Sequence, residues 1–271
     1  MAMTEADGRK HHIGVKAGEV GRYVLLPGDP DRVERIAKRF DHPRFVAQRR
    51  EYVTWSGELD GVTVSCTSTG IGCPSAAIAV EELHALGTDT FLRVGTSGSM
   101  QSHIKPGSIG VISGAIRDEG TSRHYLPLEF PAVADLDVTI ALREAAAASG
   151  HPWYLGVAQS KDSFYGQHEP ARMPIADDLA RRWKAWMAGG AICSEMEAAT
   201  IFIVAATLRA RAGGVMLILG NPDQRPMTKE EEAACDVDRV IDASVDGLRR
   251  LIAADRARGA STSPNATRGS A

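Results

Sequence analysis

Three charged residues in this chain, Arg93, Arg32 and Glu197, stand where their type and setting could do chemistry. Arg93 lies inside the apolar run Phe91-Leu92-Arg93-Val94, ahead of the small hydroxyl stretch Gly95-Thr96-Ser97-Gly98-Ser99. An unpaired buried cation is very costly, so Arg93 needs either a carboxylate or a bound oxyanion at that strand end. Arg32 falls in the first turn of a helix that opens after Pro27-Gly28-Asp29-Pro30, where a cation opposes the helix dipole. It reads either as a tolerated surface arginine or as an oxyanion clamp beside N-terminal amides. Glu197, in Ser194-Glu195-Met196-Glu197, opens an almost wholly apolar helix. Its carboxylate is either a dipole partner or, if buried, the acceptor of two donors such as the hydroxyls of a sugar diol.

A glycine turn adds a second theme. In Ser68–Leu83, STGIGCPSAAIAVEEL, an apolar strand runs through Gly70 and Gly72 into a helix with Pro74 near its start. Strand, glycine turn and helix N-terminus together suit an anion. A dinucleotide fingerprint would need glycine at 75, where Ser75 stands, and Pro74 removes one amide. No acidic residue closes the next strand either, so that reading fails.

These residues are positioned by alternating strands and helices. Buried strands are expected at Tyr23–Leu26, Val62–Thr67, Thr90–Val94, Ser108–Ala115, Trp153–Gln159 and Val215–Leu219. Helices are expected at Asp31–Phe40, Asp137–Ser149, Asp177–Met187 (Leu179, Trp183 and Met187 inward) and Asp236–Asp255. Another should run from Glu197 to about Arg211, closed by Gly213-Gly214. Phe45–Leu59 alternates loosely and ends in an Asp60-Gly61 hairpin signal. Arg117–Pro131 and Ser163–Pro174 read as irregular loops of the kind found over active sites. The order predicts a single α/β domain over 11–255, with a flexible N-terminal arm at 1–10 and a disordered C-terminal tail at 256–271.

Bulk properties narrow the function. A net charge of −3 gives no global attraction to nucleic acid or to acidic membranes, so anion binding must come from local arginines. The four cysteines show no short metal-ligand spacing and read as free thiols in a reducing cytoplasm. The longest apolar run, Ala198–Leu208, is too short to span a bilayer.

Taken together, Pro27-Gly28-Asp29-Pro30-Asp31-Arg32, Arg50-Glu51-Tyr52-Val53-Thr54-Trp55, the glycine turn, Phe91–Thr96 and Glu195-Met196-Glu197 resemble the nucleoside phosphorylase-I family. Glu129–Asp135 and Asp162-Ser163-Phe164-Tyr165 resemble its uridine phosphorylase branch. The resemblance runs in order from His12 to Ile252. It implies a single α/β domain with a central mixed, partly barrel-like β-sheet flanked by α-helices, and reversible phosphorolysis of uridine to uracil and ribose 1-phosphate. A purine or broad-specificity phosphorylase, or a nucleoside-binding relative without turnover, are the alternatives.

Residue by residue, the resemblance implies that Gly28, Arg32, Arg50, Arg93 and Thr96 bind phosphate, with Arg50 supplied by a neighbouring subunit. His12 from that neighbour would join Glu195, Met196 and Glu197 at the ribose, with Arg93, Arg32 and Glu197 as the catalytic set. Phe164 and Gln167 would meet the base. Arg172 would too, although it lies farther from the glutamine than in relatives and His168 is an alternative. Asn221 falls near an aspartic acid of purine relatives and cannot act as an acid. The resemblance further implies a hexamer built as a trimer of dimers. No metal or cofactor is required, and an optional monovalent cation such as K+ would sit at Glu51, Ile71 and Ser75. The glycine turn then becomes scaffold and dimer interface, the phosphate lying with the arginines.

Overall fold

Strand β1, Tyr23–Pro27, is buried along its whole length and alternates between two apolar layers, Val24 and Leu26 facing one, Tyr23 and Leu25 the other. It belongs to a computed structural model that describes residues 3–223 and 225–261. Helix α1 (Pro30–Ala37) follows, capped by the Asp29 carboxylate. Strands β2 (Asp41–Arg49), β3 (Tyr52–Leu59) and β4 (Val62–Thr67) form successive hairpins. Helix α2 (Cys73–His84) leads to β5 (Thr90–Ser99), β6 (Ile109–Asp118) and the short β7 (Ala132–Val133). Then come α3 (Leu136–Ala148), β8 (Trp153–Lys161), α4 (Phe164–His168) and α5 (Ala176–Ala188). Strand β9 (Cys193–Glu195), α6 (Ala198–Thr207), β10 (Arg211–Gly220), α7 (Lys229–Ala234) and α8 (Asp238–Ser261) complete the order.

One mixed sheet joins all the strands, in the order β10-β6-β8-β9-β5-β1-β4-β3-β2, with β7 on β6. Because β10 also pairs with β5, the path β10-β6-β8-β9-β5 closes on itself as a barrel, flanked by helices. Strand β5 makes this possible by its length. One edge takes β1 at Thr90–Val94 and then β9 at Gly98–Ser99, while the other takes β10 throughout. The strand periodicity of two puts Phe91 in the layer with α2 and α6, and Leu92 and Val94 in the layer with α1, α3 and α8. Arg93 therefore projects on the α2/α6 side, level with the end of β1, where it pairs with Leu26.

Four local readings change. Phe45–Leu59 is two strands, turned at Arg50-Glu51 with Arg50 at φ 55. The helix expected to reach Arg211 stops at Thr207, where Leu208 caps it and Arg209 takes φ 56. Gly213-Gly214 closes no helix. The pair lies inside β10, where a Cβ on Gly213 would stand 2.4 Å from Val138 Cγ1, so close packing of α3 on the sheet requires the glycine. In α5, Leu179, Trp183 and Met187 are only half-buried.

At the N-terminus, Thr4 bridges to Lys10, and Glu82 of α2 accepts the backbone N–H groups of His12 and Ile13 and contacts the His12 ring. The tail expected from 256 overlaps α8 to Ser261; its remainder, 262–271, lies outside the described residues. No described helix is long and apolar enough to cross a membrane.

Candidate active site

The chain ends of β1, β5, β8, β9 and β10 open on a cavity of about 880 Å³. Gly28, Arg32, Arg93 and Thr96 line one end, Glu195, Met196 and Glu197 the middle, and Phe164 and Gln167 another wall. Residues far apart in the chain meet here because they lie along β5, at or just past the ends of β1, β8, β9 and β10, or in the helices that follow.

The arginine end is built for an anion. Arg93 is 4% exposed. Its Nη2 pairs with Glu197 Oε2 and its Nε lies 3.5 Å from Glu195 Oε2. Its Nη1 is buried without a hydrogen-bond partner among the described residues. A donor left so costs about 1–3 kcal/mol. Nη1 lies beside Gly28, where a Cβ would approach it to 3.4 Å and the Gly70 carbonyl to 3.2 Å. Arg32 is nearly buried, its nearest carboxylate Asp29 at 4.0 Å. Burial and then the like charge of Arg93 pull its pKa down. Two guanidiniums under mutual repulsion, one with an unused N–H, favour a bound oxyanion.

Glu197 explains the glycine turn. The Gly72 N–H donates to Glu197 Oε1 at 2.5 Å, so the anion at the α2 N-terminus is a side chain of the protein itself. Burial, and then the like charge of Glu195, raise the Glu197 pKa, against the attraction of Arg93. Glu195 caps α6, accepting the N–H groups of Glu197 (2.9 Å) and Ala198 (3.0 Å) and the hydroxyl of Ser160. Glu195 thus has its acceptor oxygens satisfied by the fold, whereas Glu197 lines the cavity with a carboxylate able to accept hydroxyls.

At the third wall a polar chain begins with Lys161, the last residue of β8. Its Nζ donates to Ser194 Oγ at 2.8 Å, and burial lowers its pKa although Glu195 and Glu197 oppose this. Ser194 Oγ also lies 2.5 Å from Gln159 Oε1 and 2.7 Å from Gln167 Oε1. Gln159 donates its Nε2 to Asp118 at 2.8 Å, so its carbonyl must face Ser194 and take the single hydroxyl proton. That leaves Gln167 to donate its carboxamide N–H to Ser194, with its carbonyl turned to the cavity. Phe164, half-exposed, stacks at 4.2 Å on the His168 ring, and both line the cavity.

Other expected residues stand elsewhere in this chain. Arg172 is exposed, paired with Glu169 at 2.7 Å and placed over the Tyr165 ring, away from the cavity. His12 is held by Glu82 at 2.7 Å, and Arg50 sits exposed in its hairpin turn; neither lines the cavity. Ser75 Oγ lies 2.7 Å from Glu51 Oε1 and also contacts the Thr69 carbonyl, two acceptors for its single proton. Burial works against ionising Glu51, but this hydroxyl helps to hold its pKa below the usual value. Ile71 is 79% exposed at the cavity mouth.

Lys161 and Ser194 escaped the sequence reading as site residues. The signal for Lys161 was a cation two residues past an apolar strand and one before Asp162-Ser163-Phe164, but the strand was ended at Gln159.

Comparison with known proteins adds lineage to this geometry. Residues 22–253 match the model of the phosphorylase superfamily. The chain is 48% identical over 249 residues to the uridine phosphorylase of Treponema pallidum (strain Nichols), covering 92% of this chain and 96% of that one. It is 40% identical over 247 residues to the uridine phosphorylase of Escherichia coli (strain K12), covering 89% and 97%. The guanosine phosphorylase of Halorubrum lacusprofundi is 37% identical over 244 residues, covering 90% and 95%.

Proposed function

The chain belongs to the phosphorylase superfamily, and we infer that it is a uridine phosphorylase, a pentosyltransferase that cleaves uridine reversibly with phosphate. The observation that carries this is the unpartnered Nη1 of Arg93, buried near Arg32 in a cavity that Glu197, paired with Nη2 of the same guanidinium, also lines. Relatives named uridine phosphorylase, 40–48% identical over most of the chain, fix the branch.

In this reading Arg32, Arg93, Thr96 and the space left at Gly28 hold hydrogen phosphate, with Arg50 of a neighbouring subunit. Glu197 accepts the ribose 2′- and 3′-hydroxyls, Met196 packs on the sugar, and Glu195 holds the α6 N-terminus that carries them; His12 of the neighbour reaches the ribose. Phe164 lies against the base and the Gln167 carbonyl accepts its ring N–H. A phosphate oxygen attacks C1′ while the C1′–N1 electron pair leaves with uracil. The transition state has oxocarbenium character, and the phosphate dianion, oriented by planar guanidinium forks, stabilises the ribosyl charge.

The sites would then borrow residues across a dimer, and a hexamer of three such dimers is the assembly this reading expects. K+ at Glu51, Ile71 and Ser75 would be an optional part of that interface. The four free thiols fit the cytoplasm, and the reaction fits pyrimidine nucleoside salvage. The guanosine-cleaving relative keeps a purine substrate as the second reading. Against it, Asn221 spends its carboxamide on the Arg225 backbone, with contacts of 2.9 and 3.2 Å, and an amide cannot protonate a purine. Incubation with phosphate and a panel of uridine, thymidine, inosine and guanosine tests the reading. Ribose 1-phosphate from uridine is expected; release from the purines alone would move the protein to the other branch.

A further inference from the structure

We propose that Lys161 is the cation that receives the negative charge of the departing base. The proposal rests on the uridine reading above and extends it to a residue outside the arginine–glutamate set. Lys161 is 6% exposed and lines the cavity, and it has no carboxylate within 4.0 Å among the described residues. The one hydrogen bond of its Nζ among the described residues, to Ser194, leaves two ammonium N–H groups for another acceptor. Ser194 is also the residue that holds Gln167, so ammonium and carboxamide converge on one end of the cavity. Arg93 instead turns its Nη1 toward Gly28. Arg172, the cation expected for the base, is engaged by Glu169 outside the cavity.

The chemistry calls for a cation there. As the phosphate oxygen forms its bond to C1′, the C1′–N1 pair passes to the base, and the uracil anion spreads that charge over its two carbonyl oxygens. Lys161 donates to one carbonyl and keeps its proton, while the Gln167 carbonyl accepts the neighbouring ring N–H. The proton lost by hydrogen phosphate, as ribose 1-phosphate reaches its dianion, is returned through solvent to uracil. Donor and acceptor side by side match the carbonyl and ring N–H of a pyrimidinedione, and an ammonium fixed before reaction costs no reorganisation at the transition state.

The test compares uridine with 5-fluorouridine, whose base is the more acidic leaving group, in single-turnover phosphorolysis by the wild type, Lys161→Met, Lys161→Gln and Lys161→Arg. Loss of the charge should slow uridine about 100-fold. It should slow 5-fluorouridine about 10-fold or less, because a base that carries its own charge needs the ammonium less. Lys161→Gln, which keeps a donor for Ser194, must show the same substrate ratio as Lys161→Met and serves alone if the latter does not fold. Lys161→Arg should restore the wild-type ratio. Equal losses on both substrates, or a rise in KM alone, would overturn the proposal. A wild-type protein inert toward both nucleosides would instead overturn the uridine reading beneath it.

Discussion

Replacing Arg93 by methionine keeps the bulk of the side chain and removes the guanidinium, so it separates what that group does for the fold from what it does for phosphate. Deleting one partner of a buried ion pair costs about 3–5 kcal/mol, here by leaving Glu197, and more distantly Glu195, without a cation. Removing the unpartnered Nη1 returns about 1–3 kcal/mol. The apo protein should therefore lose roughly 2 kcal/mol. Phosphate at 100 times its Kd should stabilise the wild type by about 2.7 kcal/mol and the variant hardly at all, widening the gap to roughly 5 kcal/mol. Urea unfolding at pH 7 and fixed protein concentration, with and without phosphate, reads both numbers. The sign with pH is also set. Glu197 already has a raised pKa, and loss of Arg93 raises it further. A carboxyl of that kind supports the fold below its ordinary value of 4.5 and loses this support as the pH climbs through its folded pKa. The apo deficit of the variant should thus shrink between pH 7 and pH 5. In kinetics, kcat/KM for phosphate should fall about 100- to 1,000-fold. Phosphate that stabilises wild type and Arg93→Met equally would refute the assignment of Nη1 to the anion.

The same geometry sets three further outcomes. Gly70→Ala forces a side chain onto φ 67, with its Cβ 2.7 Å from Glu51 Cγ and 3.2 Å from Ser75 Oγ, so thermal unfolding should show a loss of about 1–3 kcal/mol while phosphate still raises the melting temperature. Arg211→Ala should cost about 1 kcal/mol at pH 7. Burial works against ionising Asp255, but Arg211, Arg258 and Tyr23 donate to it and hold its pKa well below 3.8; that stability is present above 3.8 and lost as pH falls, so the difference between Arg211→Ala and wild type in urea should close in acid. If Arg50 serves a neighbour's cavity, protomers of Arg50→Ala and Glu197→Gln, each inactive alone, should regain about a quarter of wild-type activity when dissociated together in equal amounts and reassembled; no recovery in mixtures shown to contain hybrids would place Arg50 outside the shared site.

The buried charged cluster was legible in the chain because charge in an apolar setting is rarely idle. Arg93 between Leu92 and Val94, and Glu197 ahead of Ala198–Ala205, could be singled out by the cost of burying them alone. Their partners were not legible, because pairing is a property of the sheet. The choice for Arg93 between a carboxylate and an oxyanion proved a false alternative: Nη2 takes Glu197, while Nη1 is left over. Gly213-Gly214 was read as a helix end because local rules favour glycine there, whereas the need for glycine comes from Val138, brought from a helix some seventy residues earlier. Barrel closure depends on β5 running five residues beyond Val94, through glycines and hydroxyls that look like a loop. Lys161 was hidden by the same shortening of β8.

The glycine turn carries the more general lesson. Gly70-Ile71-Gly72 leads into α2 as an anion-binding turn should, and the anion is present, but it is the carboxylate of Glu197, 125 residues downstream. An acid on the same chain is already concentrated at such a site, so it displaces a free phosphate unless that phosphate brings further partners. In the proposed function those further partners are the guanidiniums of Arg32 in α1 and Arg93 in β5. The helix N-terminus instead fixes Glu197, the carboxylate proposed to hold the sugar, so in that reading phosphate and ribose share one ion pair, Arg93 with Glu197. Weakening the Gly72–Glu197 contact should therefore disturb ribose and phosphate binding together, although no atom of the turn need touch phosphate.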